Sequence, residues 1–545
     1  LGDVSYNYSS QDFISFSFRK ARGFFDCVTY VGDGVADRAV AHSLGSLPGC
    51  IIVKSTDTGN PSAWSVWHRS LWNTTDYKST QLNTTGAKNG WNAFWSVSAP
   101  TSSNFYVRHN GANVDGQTYV AYIFAHDEQS FGDAGNSSVI KCGSYTGGSA
   151  GLEVDLGWEP QFLLLKNADT VANWWLASSM TGMRDVNGKW LAPNGTYAEG
   201  SLDFIQATSK GFKLRQAGSD ETNGNGDLMT YVAIRFPDGL VSKPPTLGTD
   251  VFAMDTGAGS STIPNFDSGF RVDWALYRKP DASYSWHSAT RMTGTKWLQP
   301  NSTTNQGNDT AQIWDSNAGW FGGASWADST LQSWMWKRHA GFDVVGYDGV
   351  GGGQTLNHNL GKIPEMIWIK NRDYAEPWTV GHKGLNGGTN PWQYWVRTNA
   401  SDAEEDNTAS FNDTAPTATQ FTVGNDRRVD FASQKFIALL FSSVENISKC
   451  GFYDGSENAQ TITVGFQPRF ILIKRTTSGA GGDDWVVADS VRGISSGNDE
   501  ILYLNLTDEQ ASQNLVGVTS TGFTVVADYH EVNHEDHKYI YYCHA

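Results

Sequence analysis

Charge is scarce in this sequence. Asp, Glu, Lys and Arg together make up 17% of 545 residues, and their balance is acidic, with a net charge of −17 at pH 7. Such a chain repels phosphate backbones and anionic lipid, so neither nucleic acid nor a membrane surface is an expected partner. Cysteine is scarcer still, with five residues widely spread and no CxxC pair. Neither a disulfide framework nor a zinc knuckle follows from that pattern. Long hydrophobic runs are missing as well. The best, Phe436 to Phe441, has the length of a strand and is far short of a bilayer span. No window carries a helical apolar stripe with a cap before it and Gly after it. No basic-then-apolar leader follows Leu1, so no secretion signal is read.

What is abundant points one way. The chain holds 22 Trp, 21 Tyr and 27 Phe beside 58 Gly. That aromatic load excludes disorder, and the shortage of charge argues against coiled coils. Gly, aromatics, Ser and Thr together suit short strands joined by tight turns. The length is too great for one core and asks for several domains. The expected class is all-β.

The text repeats. Leu44 to Lys54 (LGSLPGCIIVK) has relatives at Gly157 to Lys166 (GWEPQFLLLK), Leu360 to Lys370 (LGKIPEMIWIK) and Gly465 to Lys474 (GFQPRFILIK). Ser268 to Lys279 (SGFRVDWALYRK) keeps the Gly and a closing Lys but lacks the Pro. After each comes a strand led by Trp, at Trp64, Trp174, Trp286, Trp378 and Trp485, and each unit closes on an alternating aromatic strand. These are five units of roughly 100 residues, each read as a small antiparallel β-sandwich. The expected boundaries are 23–137, 138–243, 244–340, 341–447 and 448–545. A longer period lies above the short one: units one and four are sisters, as are units two and five. Trp334 to Phe342, which closes unit three, resembles Phe16 to Phe24. Residues 1–22 therefore read as the last strand of a preceding unit whose body lies ahead of Leu1. The recurrent Lys is expected to snorkel at a sheet edge or to discourage edge pairing.

Reactive motifs are hard to find. There is no GxSxG, HExxH or Walker loop, and Gly349 to Gly353 leads into strand text, which makes it a turn. His534, Glu535, Asp536 and His537 form the best metal-like patch, but it reads as a solvated loop before the last strand, so no metal or cofactor is expected. His68, His382 and Asp489 share one place after the Trp-led strand and read as a polar strand-end position. Cys142 and Cys450 fall at matched strand starts and read as buried thiols. Asn-x-Ser/Thr triplets are frequent and are attributed to composition. The leading Trp residues belong to the core. Trp91, Trp95, Trp320, Trp326, Trp392 and Trp395 fall outside the repeated template, among Asn, Gly and Ser, which makes them the candidates to face a glycan or a partner.

Taken together, GFQPRFILIK, Asp489 to Gly493, Leu504 to Asp508, Thr519 to Phe523, Phe18 to Asp26, Val28 to Gly34, His42 to Gly45 and Trp67 to Leu71 resemble repeats in tail-fibre and related structural proteins of tailed bacteriophages, common in marine cyanophages. The resemblance covers nearly the whole chain and is weakest across unit three. It implies a virion component that is a homotrimer, contacts other tail or virion proteins, and recognises a host-surface polysaccharide or receptor. It carries no catalytic residue. Three readings follow: an adhesive tail fibre or appendage, a purely structural protein such as a head decoration, and a polysaccharide depolymerase built on scattered carboxylates.

Overall fold

Period-two alternation predicts antiparallel strands, and the computed structural model is built of them. It describes residues 13–57, 63–73, 78–89, 94–108, 111–132, 135–180, 182–184, 188–235, 241, 243–260, 263–323, 326, 328–478, 484–494 and 497–545. Trp91, residues 1–12 and the Gly-rich stretch 479–482, which the sequence offers as a turn, lie outside these residues. The one α-helix among the described residues is a single turn, Thr408–Phe411.

Five times the same four-strand order recurs: first strand, last strand, the strand after the recurrent Gly, and the Trp-led strand. In unit one these are Phe25–Val31, Thr118–Ala125, Pro48–Ser55 and Ser65–His68. Unit two uses Ile140–Thr146, Leu228–Arg235, Pro160–Asn167 and Trp174–Ser178. Unit three uses Phe252–Thr256, Gln332–Trp336, Trp274–Arg278 and His287–Thr290. Unit four uses Phe342–Asp348, Lys435–Phe441, Met366–Asn371 and Thr379–His382. Unit five uses Ser448–Asp454, Lys538–His544, Phe470–Arg475 and Val486–Asp489. A smaller sheet accompanies each, such as Gln354–Asn357 with Gln420–Val423 in unit four.

The recurrent Gly has a conformational reason. Gly45, Gly157, Gly269, Gly361 and Gly465 all have positive φ, between 66° and 98°, a left-handed backbone that side chains resist. The chain turns there into the central strand.

The central strands are apolar on both faces because both faces are covered. In unit four, Ile367 and Ile369 face Phe421 and Val423 of the unit's own small sheet. Met366 and Trp368 face the other way, into a core shared with units three and five. Trp274 and Leu276 of unit three and Phe470 and Leu472 of unit five enter the same shared core. Units one and two likewise share a core, in which Leu164, Trp174, Val232 and Ile234 meet Ile52, Phe124 and Phe25. The units are therefore fused sheet to sheet rather than strung as separate beads.

Candidate functional site

The features that recur in every unit converge on the junctions between units. The leading Trp of one unit passes its indole N–H to a backbone carbonyl of another. Trp174 donates to Gln81 O (2.9 Å), Trp378 to Gln299 O (2.9 Å), Trp485 to Arg397 O (2.7 Å) and Trp286 to Tyr503 O (2.8 Å). The residue paired with that Trp across the sheet makes a second bond to the same loop. Lys166 Nζ donates to Thr85 O (3.1 Å), Lys370 to Thr303 O (3.2 Å), Lys474 to Ser401 O (3.1 Å), and Arg278 Nη2 to Thr507 O (3.2 Å). Unit four thus docks on unit three, five on four, and three on five. The cycle closes into a ring of three like units, the outcome of a head-to-tail contact whose rotation returns on the third step.

These bonds revise two expectations. In units two, four and five the Lys at the end of the central strand is not at an exposed edge: Lys166, Lys370 and Lys474 are fully buried, whereas Lys54 of unit one is half-buried. Burial pushes Lys474 down to about 7, and Lys166 and Lys370 to about 8. In unit three the position belongs to Arg278, not Lys279, which instead pairs with Asp328. The Asn-x-Ser/Thr triplets are likewise part of the template. Asn83, Asn194, Asn301, Asn399 and Asn505 each accept the backbone N–H of their unit's leading Trp. The acceptor carbonyls of the neighbouring Lys or Arg lie two residues after four of them.

A buried indole removes about 150–250 Å² from water, worth several kcal/mol at about 25 cal/mol/Å². Its single hydrogen bond is worth about 1 kcal/mol net. The apolar faces supply the adhesion; the hydrogen bonds fix the register of one unit on the next.

The strand-end residues face the opposite neighbour. His68 Nε2 lies 3.1 Å from Tyr231 O of unit two. Asp489 of unit five accepts Trp334 Nε1 of unit three at 2.9 Å. Burial pushes His68 down to about 4 and His382 to about 3, so both imidazoles are neutral packing groups. Cys142 and Cys450 are fully buried thiols whose pKa burial raises.

The five aromatic candidates among the described residues do not form a surface. Trp95, Trp320, Trp326, Trp392 and Trp395 are each at most 7% exposed. Trp320 stacks on Trp314 (4.9 Å) and Phe266 (5.5 Å), and Trp326 meets Tyr277 edge-on at 4.7 Å. Trp392 packs on Phe411 of the helical turn. Trp395 lies under the Arg428 guanidinium, 3.7 Å from its ring centre. Long irregular loops fold back over each sandwich and need these rings as filling, so none of the five offers a face to a sugar.

Two other places carry polar side chains in quantity. A cleft of about 380 Å³ opens between units two and four, lined by Glu153, Asp155, Lys213, Asp348 and Asn357 among others. At its floor Arg338 of unit three makes a two-pronged pair with Glu159 of unit two (both 2.6 Å) and lies 3.6 Å from Asp343 of unit four. Burial pushes Asp343 up to about 6. Burial also works against the Asp273 carboxylate, but Arg271, Arg338 and Arg291 outweigh it and hold it below its ordinary value. Asp343 also accepts the backbone N–H of Asn359 and Val344. Asp26 does the same for Ser43 and Cys27 in unit one, which marks the position as part of the fold. The second place is the turn before the last strand of unit five, where the structure adds His530 to His534 and His537. His530, four residues upstream of His534, lies outside the 534–537 patch and is the third imidazole that the fold brings in.

A family described as a domain of unknown function (DUF7483) matches residues 9–236 and 287–545. The chain belongs to the DUF7483 family. The DUF7483 match passes over residues 237–286, which include the Gly and the whole central strand of unit three, the unit whose text departs furthest from the template. No curated protein matches the chain. Among solved structures, the Faustovirus major capsid protein aligns over 98% of this chain and 92% of its own at 10% identity, with a TM-score of 0.06, which carries no structural argument. No helix among the described residues is long and apolar enough to cross a membrane.

Proposed function

We propose that this DUF7483 chain is a structural component of a tailed-bacteriophage virion, a tail fibre or tail appendage that meets the host surface. The observation that supports it is the junction. In four of the five units the recurrent Trp and the cation paired with it lock one sandwich onto another. A protein whose repeated features are spent on rigid contact suits a load-bearing, protease-resistant part. The resemblance of its repeats to phage tail proteins supplies the context. Threefold character, which tail fibres take from three chains, is approximated here by three units of one chain.

Host recognition in this reading falls to the polar cleft between units two and four rather than to the indoles. Its carboxylates, amides and Lys213 match the hydroxyl groups of a saccharide, and multiple copies on a particle would turn weak contacts into firm attachment. The test is to incubate purified protein with host cells and their surface polysaccharide. Binding that weakens in Asp348→Ala and Asn357→Ala supports the reading. Failure to bind cells or polysaccharide removes the adhesive role, and release of reducing ends would replace it with a depolymerase. Immunogold labelling of intact particles tests the virion assignment separately, with label on tail appendages as the expected result.

A further inference from the structure

We propose that His530, His534 and His537 form a site for one divalent ion of the zinc class. The turn that carries them is fixed by Tyr529 N–H donating to Asn533 O and by the return bond to Tyr529 O (2.7 and 2.6 Å). It gathers the imidazoles so closely that His530 and His534 stack with centroids 4.2 Å apart and His534 and His537 lie 4.9 Å apart. One ligand atom from each lies within 4.8 Å of the others. His530 Nδ1 and His537 Nε2 are 3.3 Å apart, close to the roughly 3.3–3.4 Å that two nitrogens adopt around a tetrahedral ion with bonds of about 2.0–2.1 Å.

Outer contacts hold the rings in place. Thr477 Oγ1 lies 3.1 Å from His537 Nδ1, the kind of partner that fixes a ligand's tautomer and aims its other nitrogen. Asp528 lies 3.4 Å from His534 Nε2 and adds a carboxylate at the open side. Arg475, 3.5 Å from His530 Nδ1, must swing aside for the ion.

The test is calorimetric titration of the full chain with Zn²⁺ and, for a visible spectrum, Co²⁺. One ion per chain is expected, with a tetrahedral Co²⁺ absorption. His530→Ala and His534→Ala alter half-buried positions and should weaken binding by about 100-fold or more, and Thr477→Val by about 10-fold. Absence of uptake, or uptake indifferent to both His variants, would overturn the site.

Discussion

Trp378 and Lys474 show how much a single side chain decides in this protein. Trp378→Phe keeps a ring in the shared core but removes the donor to Gln299 O. Destabilisation of about 1 kcal/mol is expected, read from the urea midpoint, and Trp174→Phe should match it at the other junction. Lys474 gives a pH test. Burial brings its folded pKa to about 7, against about 10.4 for an unfolded lysine. Between those values the unfolded chain holds a proton that the folded chain lacks, so stability rises with pH across that window and the gain is lost as pH falls through about 7. The thermal midpoint should climb from pH 7 to pH 9, with a shallower slope in Lys474→Met. The role of this lysine was not legible in the sequence, because its partner is a backbone carbonyl that any residue can present. The Asn-x-Ser/Thr recurrence 15 to 21 residues behind each leading Trp was legible, and its presence in all five units was the clue that composition does not supply.

At the scale of the element, the template was open to reading because it is written five times. The Gly, the apolar strand, the closing cation and the leading Trp each keep one place in one sheet order. Gly157→Ala and Gly465→Ala isolate the backbone part of that template. No atom stands within 4 Å of an added Cβ at either position, yet both residues are left-handed, at φ +76° and +98°. Each substitution should cost about 1–2 kcal/mol, measured by chemical denaturation. What the sequence hid was the depth of the loops. Trp320, Trp326, Trp392 and Trp395 lie outside the repeat and so look free, but irregular chain returning over a small sandwich has to fill space, and indoles fill it. Their burial depends on long-range folding that local pattern does not encode.

For the whole molecule, two bodies with different adhesives emerge. Units three to five share an apolar core, whereas the contact of unit two with units three and four is charged, through Glu159, Arg338, Lys213, Arg215 and Asp348. Calorimetry should resolve two transitions, one for units one and two and one for the closed ring. Glu159→Gln strips Arg338 of its two-pronged partner deep in that contact and should destabilise by about 3–5 kcal/mol, with hydrogen exchange rising on both sides. A ring made of three sandwiches from one gene also escapes a constraint that binds symmetric oligomers. In three identical subunits every substitution appears three times at once; here each seam and each outward wall can evolve alone. Such a molecule can therefore show three unlike faces around one axis, and can alter one without disturbing the other two.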